Sequence, residues 1–372
     1  MNKILVLGLC LLPGFSIAQE QAYTVKGKIR NWKGADTVVL HYSVDNQLRS
    51  DTTIARNGVF EFKGTLSQPT LTYISHQQPT DPHTVRDASK FYLEPGVVQL
   101  EATDSLKYMK VTKGTENKFF QEQEEALKPY YNTLTALRMQ GMKMTEAERK
   151  SEQAKALNEQ YKAAIDSVIQ TRIRFINTHP DAFLSAEALN FIAGSRIDYK
   201  LVQPLYAKLS PRIKATPLGK NLAERIEKAR KTMTGVVMPS FTSLDTARQP
   251  VNLDDVVHRA KVTLVDFWAS WCAPCRAENP NVVKAFNAFH DKGFDIISVS
   301  LDDNAERWKA AIIKDGMPWH HVSGLKKWQE PVAVFFGIEG IPDNFLLDEQ
   351  GTVVARGLRG EELYKKIASM VQ

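Results

Sequence analysis

Cysteine is scarce in this chain, with three in 372 residues, too few for a disulfide scaffold. Long apolar runs are missing as well. The only one, Ile4–Leu12, is cut by Pro13 and Gly14 well below the roughly 20 residues that a membrane-spanning helix needs. Basic blocks are absent: 48 Lys and Arg are interspersed with 42 Asp and Glu for a net charge of +6, so no nucleic-acid surface is indicated. Internal repeats and low-complexity tracts are also lacking.

What is present begins with an export signal. Lys3 supplies a positive start, Ile4–Leu12 an apolar centre, and Ser16-Ile17-Ala18 a small-x-small cleavage pattern before Gln19. Removal of residues 1–18 is expected, delivering the mature protein to the periplasm without a transmembrane anchor. Leu9 is too bulky for the residue preceding a lipidated cysteine, so lipoprotein anchoring through Cys10 is not expected. Processing then leaves two cysteines, Cys272 and Cys275. Only two residues separate them, so in an exported protein they read as a redox pair rather than a long-range staple.

At this length the chain exceeds one hydrophobic core, and a multidomain architecture is predicted. Residues 19–113 show short alternating runs such as Tyr23–Ile29 and Thr37–Tyr42. Asn57-Gly58, tolerant of positive φ, marks a hairpin between 51–55 and 59–63. This is an N-terminal antiparallel β-domain, read as a sandwich. Residues 114–234 form a central α-helical segment: apolar residues recur at three- and four-residue spacing, Gly141 is expected to break the first helix, and Thr145 with Glu148 to form a capping box for the next. His179-Pro180 ends that helix before another over 183–192. Residues 235–372 alternate strand and helix as in an α/β fold, with strands at 262–268, 295–301, 344–347 and 352–356 and helices at 274–290, 305–315 and 361–371.

The redox pair opens the first of those C-terminal helices, directly after an apolar strand. A helix start presents unpaired N–H groups and a positive dipole end, which stabilise a thiolate. Cys272 is therefore expected to be the exposed nucleophile and Cys275, one turn inside, the buried resolving thiol. A zinc site needs four ligands. No second Cys pair exists, and His320 and His321, adjacent in a strand, are expected on opposite faces, so no metal is assigned. Pro280, lacking an amide hydrogen, is expected to kink the helix.

The run Val265-Asp-Phe-Trp-Ala-Ser-Trp-Cys-Ala-Pro-Cys-Arg276 resembles the active-site segment of the thioredoxin superfamily. Arg276-Ala-Glu-Asn-Pro280 and Gly340-Ile-Pro-Asp-Asn-Phe-Leu-Leu-Asp348 are similar to the TlpA/ResA-like disulfide reductases, and the resemblance covers residues 236–372. Phe91-Tyr-Leu-Glu-Pro-Gly96 is similar to part of an uncharacterised β-domain found ahead of such modules. The resemblance implies a thioredoxin-like fold for 235–372, a cis Ile341-Pro342 bond facing the cysteines, and an Ile341 backbone that pairs with a substrate strand. It implies a buried acid at Asp266 that exchanges a proton with Cys275, and a tuning acid at Glu278. Trp271, Ala273 and Pro274 then contact substrate, and Ala-Pro between the cysteines resembles reductants more than oxidants.

The activity implied is an exported thiol–disulfide oxidoreductase that reduces disulfides of envelope proteins, apocytochromes among them, by thiolate attack from Cys272 and resolution by Cys275. An upstream membrane thiol serves as electron donor, and no cofactor is needed beyond the cysteine pair. Two alternatives stand beside it. A thiol peroxidase of the peroxiredoxin type shares the fold, but Ala269-Ser-Trp-Cys272 lacks the threonine of the Thr-x-x-Cys context. The β and helical regions also suit a substrate-binding module with a redox domain appended.

Overall fold

The computed structural model describes residues 20–44, 47–76 and 87–371. The expected leader 1–18, with Cys10 and the cleavage point after Ala18, lies outside them. The described residues divide into two compact units, one within 20–188 and 208–220 and the other within 189–207 and 221–371. The helical region 114–234 is thus divided between the two.

In the first unit the strands are β1 (Gln21–Ile29), β2 (Ala35–Val44), β3 (Gln47–Arg56), β4 (Val59–Leu66), β5 (Thr70–His76), β6 (Ala88–Leu93), β7 (Gly96–Ala102) and β8 (Lys110–Lys113). They form one eight-stranded sheet in the order β6-β5-β2-β3-β4-β1-β7-β8. Neighbours pair antiparallel except β1 and β7, which run parallel. Period-two alternation turns Tyr23, Val25 and Ile29 inward from β1 while Lys26 and Lys28 face water. The same alternation on β2, β4, β5, β6 and β7 fills one core, so the continuous sheet curls around its own apolar face. Asn57 (φ 47°) and Gly58 (φ 75°) make the expected turn. A Cβ on Gly58 would lie 1.9 Å from the Ile29 carbonyl oxygen, so this corner admits only glycine.

Helices α1 (Thr115–Lys143) and α2 (Glu152–Thr178) pack through Leu127, Leu134, Ala164 and Val168. Gly141 does not break α1. A mid-helix glycine costs only about 1 kcal/mol, which the packing of α1 against α2 outweighs. Thr145 and Glu148 do exchange capping hydrogen bonds, but they open a single 3₁₀ turn; the cap of α2 is Ser151, whose hydroxyl accepts from the Ala154 N–H.

A polar hub joins this helical pair to the sheet. Asn117 accepts from the Tyr92 N–H at 2.8 Å and donates to the Tyr92 carbonyl at 2.7 Å and to Glu94 at 3.1 Å. The buried carboxylate of Glu116 accepts from the Phe183 N–H at 3.0 Å, at the opening of α3 (Phe183–Ala193). Burial, the largest influence, raises the Glu116 pKa, and the backbone donors hold it down.

Helices α4 (Tyr199–Lys208), α5 (Pro211–Lys214) and α6 (Pro217–Arg230) complete the helical region. In the second unit follow β9 (Thr242–Leu244), β10 (Pro250–Asn252), α7 (Leu253–Val257), β11 (Val262–Trp268), α8 (Ala273–Phe289), β12 (Phe294–Ser300), α9 (Ala305–Asp315), β13 (His320–Val322), α10 (Pro331–Phe336), β14 (Asp343–Asp348), β15 (Val353–Arg356) and α11 (Gly360–Ala368). The five-stranded sheet runs β13-β12-β11-β14-β15. Its central strand β11 is buried at every position, as expected of a strand covered on both faces. The α8 helix continues through Pro280 to Phe289. Among the described residues, no helix is long and apolar enough to cross a membrane.

Asn117→Ala strands the Tyr92 N–H and carbonyl in a buried site. We expect it to destabilise the first unit by about 2 kcal/mol, read as a lower urea midpoint of the full chain. An unchanged midpoint would show that the hub is not a determinant of that unit's stability.

Candidate active site

Register places the reacting groups. β11 pairs antiparallel with β14, Phe267 opposite Asp343, so the chain enters β14 at the end of the sheet where β11 leaves it. Ile341-Pro342, just before β14, and Ala269–Cys272, just after β11, therefore meet at one sheet end. The Ile341-Pro342 bond is cis. Pro342 is buried and Ile341 partly so, packed against the apolar core of the unit.

Cys272 is the N-cap of α8: its Sγ accepts the Cys275 N–H at 3.2 Å, and its carbonyl accepts from the Arg276 N–H at 3.0 Å. A sulfur bearing negative charge gains at this position, because it meets an N–H that has no partner inside the helix. The two cysteines are joined in a disulfide, with Cα atoms 5.2 Å apart. The expected exposed nucleophile is instead almost covered in this oxidised form. Cys272 is 5% exposed and Cys275 1%, so the order holds but neither sulfur stands open. Ala273 and Pro274 are exposed beside the pair, and Trp271 is half exposed, its ring 6.2 Å from that of Trp328. Trp268 is core.

Two carboxylates not singled out from the sequence fasten the motif. Asp302, fully buried after β12, accepts from the Ser270 N–H at 2.9 Å, the Ser270 hydroxyl at 2.6 Å and the Ser300 hydroxyl at 2.7 Å, fixing the turn ahead of Cys272. Asp315 at the end of α9 receives the guanidinium of Arg276 and, at 2.6 Å, the amide of Asn279, tying the first turns of α8 in place. A Ser-x-x-x-x-x-Arg spacing around the cysteines hints at such anchoring, but the partners lie more than 30 residues away.

Asp266, on β11, is buried and accepts a long hydrogen bond, 3.3 Å, from the Ser298 hydroxyl. Burial pushes its pKa up to about 7; the Ser298 donor lowers it, the charges of Asp343 and Glu278 raise it, and Arg359 opposes them. Glu278 is engaged: it accepts from the Gly360 N–H at 2.6 Å, at the opening of α11, and from Asn281 at 3.0 Å. Its carboxylate thus serves a helix start while its charge bears on Asp266. His320 pairs with Asp295 at 3.5 Å, whereas His321 is buried against Trp268 and Trp319, with a pKa lowered to about 4 by desolvation. The two imidazoles have separate surroundings, as their strand alternation requires.

This arrangement, a cysteine pair at a helix start with a cis-proline at the same sheet end and a protonatable acid buried in the preceding strand, suits two-electron exchange between dithiol and disulfide. Comparison with known proteins points the same way. Residues 233–370 match the Redoxin family, and residues 23–120 match a domain of unknown function, DUF4369. The thiol:disulfide interchange protein HelX of Rhodobacter capsulatus is 30% identical over 96 residues, 26% of this chain and 51% of HelX, so the chain spans about half the length of that relative. The thiol-disulfide oxidoreductase ResA of Bacillus anthracis is 26% identical over 137 residues, 37% of this chain and 76% of ResA. Among solved structures, the thioredoxin domain of a thiol-disulfide oxidoreductase from Bacteroides vulgatus is 40% identical, covering 37% of this chain and 98% of that domain, with a TM-score of 0.35. Residues 233–370 thus form a Redoxin domain, similar to the HelX and ResA thiol:disulfide oxidoreductases.

Proposed function

We propose that this protein is an exported reductant of disulfides in envelope polypeptides. The observation that carries the reading is the Cys272–Cys275 disulfide at the start of α8, at the sheet end that also holds cis Ile341-Pro342. In the reduced protein the Cys272 thiolate attacks one sulfur of a substrate disulfide. A mixed disulfide forms and the other substrate sulfur leaves as a thiolate, which takes a proton from water. Asp266 accepts the proton of Cys275, and the new thiolate attacks Cys272, releasing the second substrate thiolate. Two electrons pass to the substrate, and the protein is left as the disulfide seen here. A membrane-bound dithiol donor restores the reduced pair. Export rests on the leader pattern of residues 1–18, so the mature chain recovered from a periplasmic extract should begin at Gln19.

Cys272→Ser should abolish insulin-disulfide reduction by the purified chain, and Cys275→Ser should accumulate mixed disulfides at Cys272. Full activity in the first variant sinks the mechanism. Hydrogen peroxide consumption without insulin reduction in the unmodified protein would move the assignment to a peroxidase.

Asp266 predicts a pH signature. Its native pKa of about 7 lies above its ordinary value of 3.8, so between these the folded chain holds a proton that the unfolded chain has lost. Stability contributed by that proton is present below about pH 4 and is lost as pH rises to about 7. Asp266→Asn should therefore flatten the fall in urea stability over this window. It should also slow resolution of the mixed disulfide roughly a hundredfold and remove the rise in its rate through pH 7. A variant whose rate still rises through pH 7 would exclude Asp266 as the proton acceptor.

A further inference from the structure

Residues 189–207 and the C-terminal half of α6 belong to the same compact unit as the redox fold, yet lie outside the Redoxin segment that begins at 233. They reach the chemistry at the loop that carries cis-Pro342. Arg196, between α3 and α4, donates from Nη2 to the Pro342 carbonyl and sets its Nε 3.3 Å from Asp343 Oδ1. Arg359 donates to the same carbonyl at 2.5 Å, and Arg356 pairs with Asp343 Oδ2 at 2.7 Å. Asp343 is only 1% exposed, so this charge depends on its arginine partners.

The other side of the loop is held from the same segment. Arg225 of α6 makes a two-pronged pair with Glu339, Nε and Nη2 each 2.7 Å from a carboxylate oxygen. The same guanidinium donates to the Gly194 carbonyl and to Asn190 at 2.8 Å, binding the turn that leads to Arg196. A glycine leaves room for this docking. A Cβ on Gly357, whose φ is +71°, would stand 3.0 Å from the Arg196 guanidinium. Glu339 and Pro342–Asp343 bracket Ile341, so both flanks of the residue expected to pair with substrate are clamped by arginines from outside the redox segment.

We propose that Arg196 and Arg225 are positioning residues that fix the cis-proline loop for extended polypeptide substrates, which makes residues 189–207 and 221–230 a working part of the redox centre. The inference rests on the reductase reading above. A small disulfide that reaches Cys272 without pairing to Ile341 has no need of the clamp. An extended peptide does, because its backbone hydrogen bonds require the loop in one geometry.

The test uses the full chain with Arg196→Met, Arg196→Lys, Arg225→Met and Gly357→Ala, each checked for native circular dichroism. Reduction of insulin is compared with reduction of 5,5′-dithiobis(2-nitrobenzoic acid). Relative to the unmodified chain, Arg196→Met and Arg225→Met should lose about tenfold more kcat/KM on insulin than on the small disulfide, the effect of one charge-assisted hydrogen bond, chiefly through KM. Arg196→Lys should recover part of the loss, and Gly357→Ala, which displaces Arg196 without removing it, should imitate it. Equal losses on both substrates, or full insulin activity in folded variants, would overturn the clamp. If a Met variant does not fold, Arg196→Lys and Gly357→Ala decide by the same ratio. An unmodified chain that reduces neither substrate would instead overturn the reductase reading.

Discussion

The antiparallel register of β11 against β14 is the constraint on which the site depends. Phe267 opposite Asp343 is one rung of a ladder, but it determines which loop meets which turn. A slip of one residue would reverse the faces of every β14 side chain, exchanging Phe345 and Leu347 with Asn344 and Leu346 on the opposite covered face. The packing that sets the register thus also brings cis-Pro342 to the sheet end that carries the cysteines.

Around that rung the unit gathers charge under cover. Asp266, Asp302 and Asp343 are all buried, and each is answered differently. Asp302 is satisfied by hydroxyl and backbone donors, and Asp343 by Arg196 and Arg356. Asp266 has a long hydrogen bond and is left near neutrality in its titration. The difference suits their tasks. A turn and a loop need permanent anchors, whereas a proton acceptor needs a carboxylate that changes state at working pH.

Much of this was legible in the chain. The strand over 262–268 and the helix over 305–315 match the expected bounds, because each has a single clear period and defined ends. Asn57-Gly58 announced its hairpin through φ alone. Gly141 misled, since a glycine's weak helix preference yields to tertiary packing against α2. The Thr145–Glu148 box was real but capped the wrong turn, as Ser151 sits one turn further on with its own cap. Within the β-domain, alternation identified the strands but not their order, and the parallel β1–β7 pair has no local signature.

The sequence by itself determined the redox pair and the helix that opens on it, because these are adjacent and a local pattern suffices to relate them. It named Pro342 and the acid Asp266 only through family resemblance. The tertiary structure alone decided that Cys272 is covered in the oxidised form, that Glu278 serves the start of α11, and that Arg196 and Arg225 hold the cis-proline loop. Those last contacts span 146 and 114 residues. An arginine has the same composition and periodicity whether it faces water or a buried aspartate, and only the folded chain tells them apart.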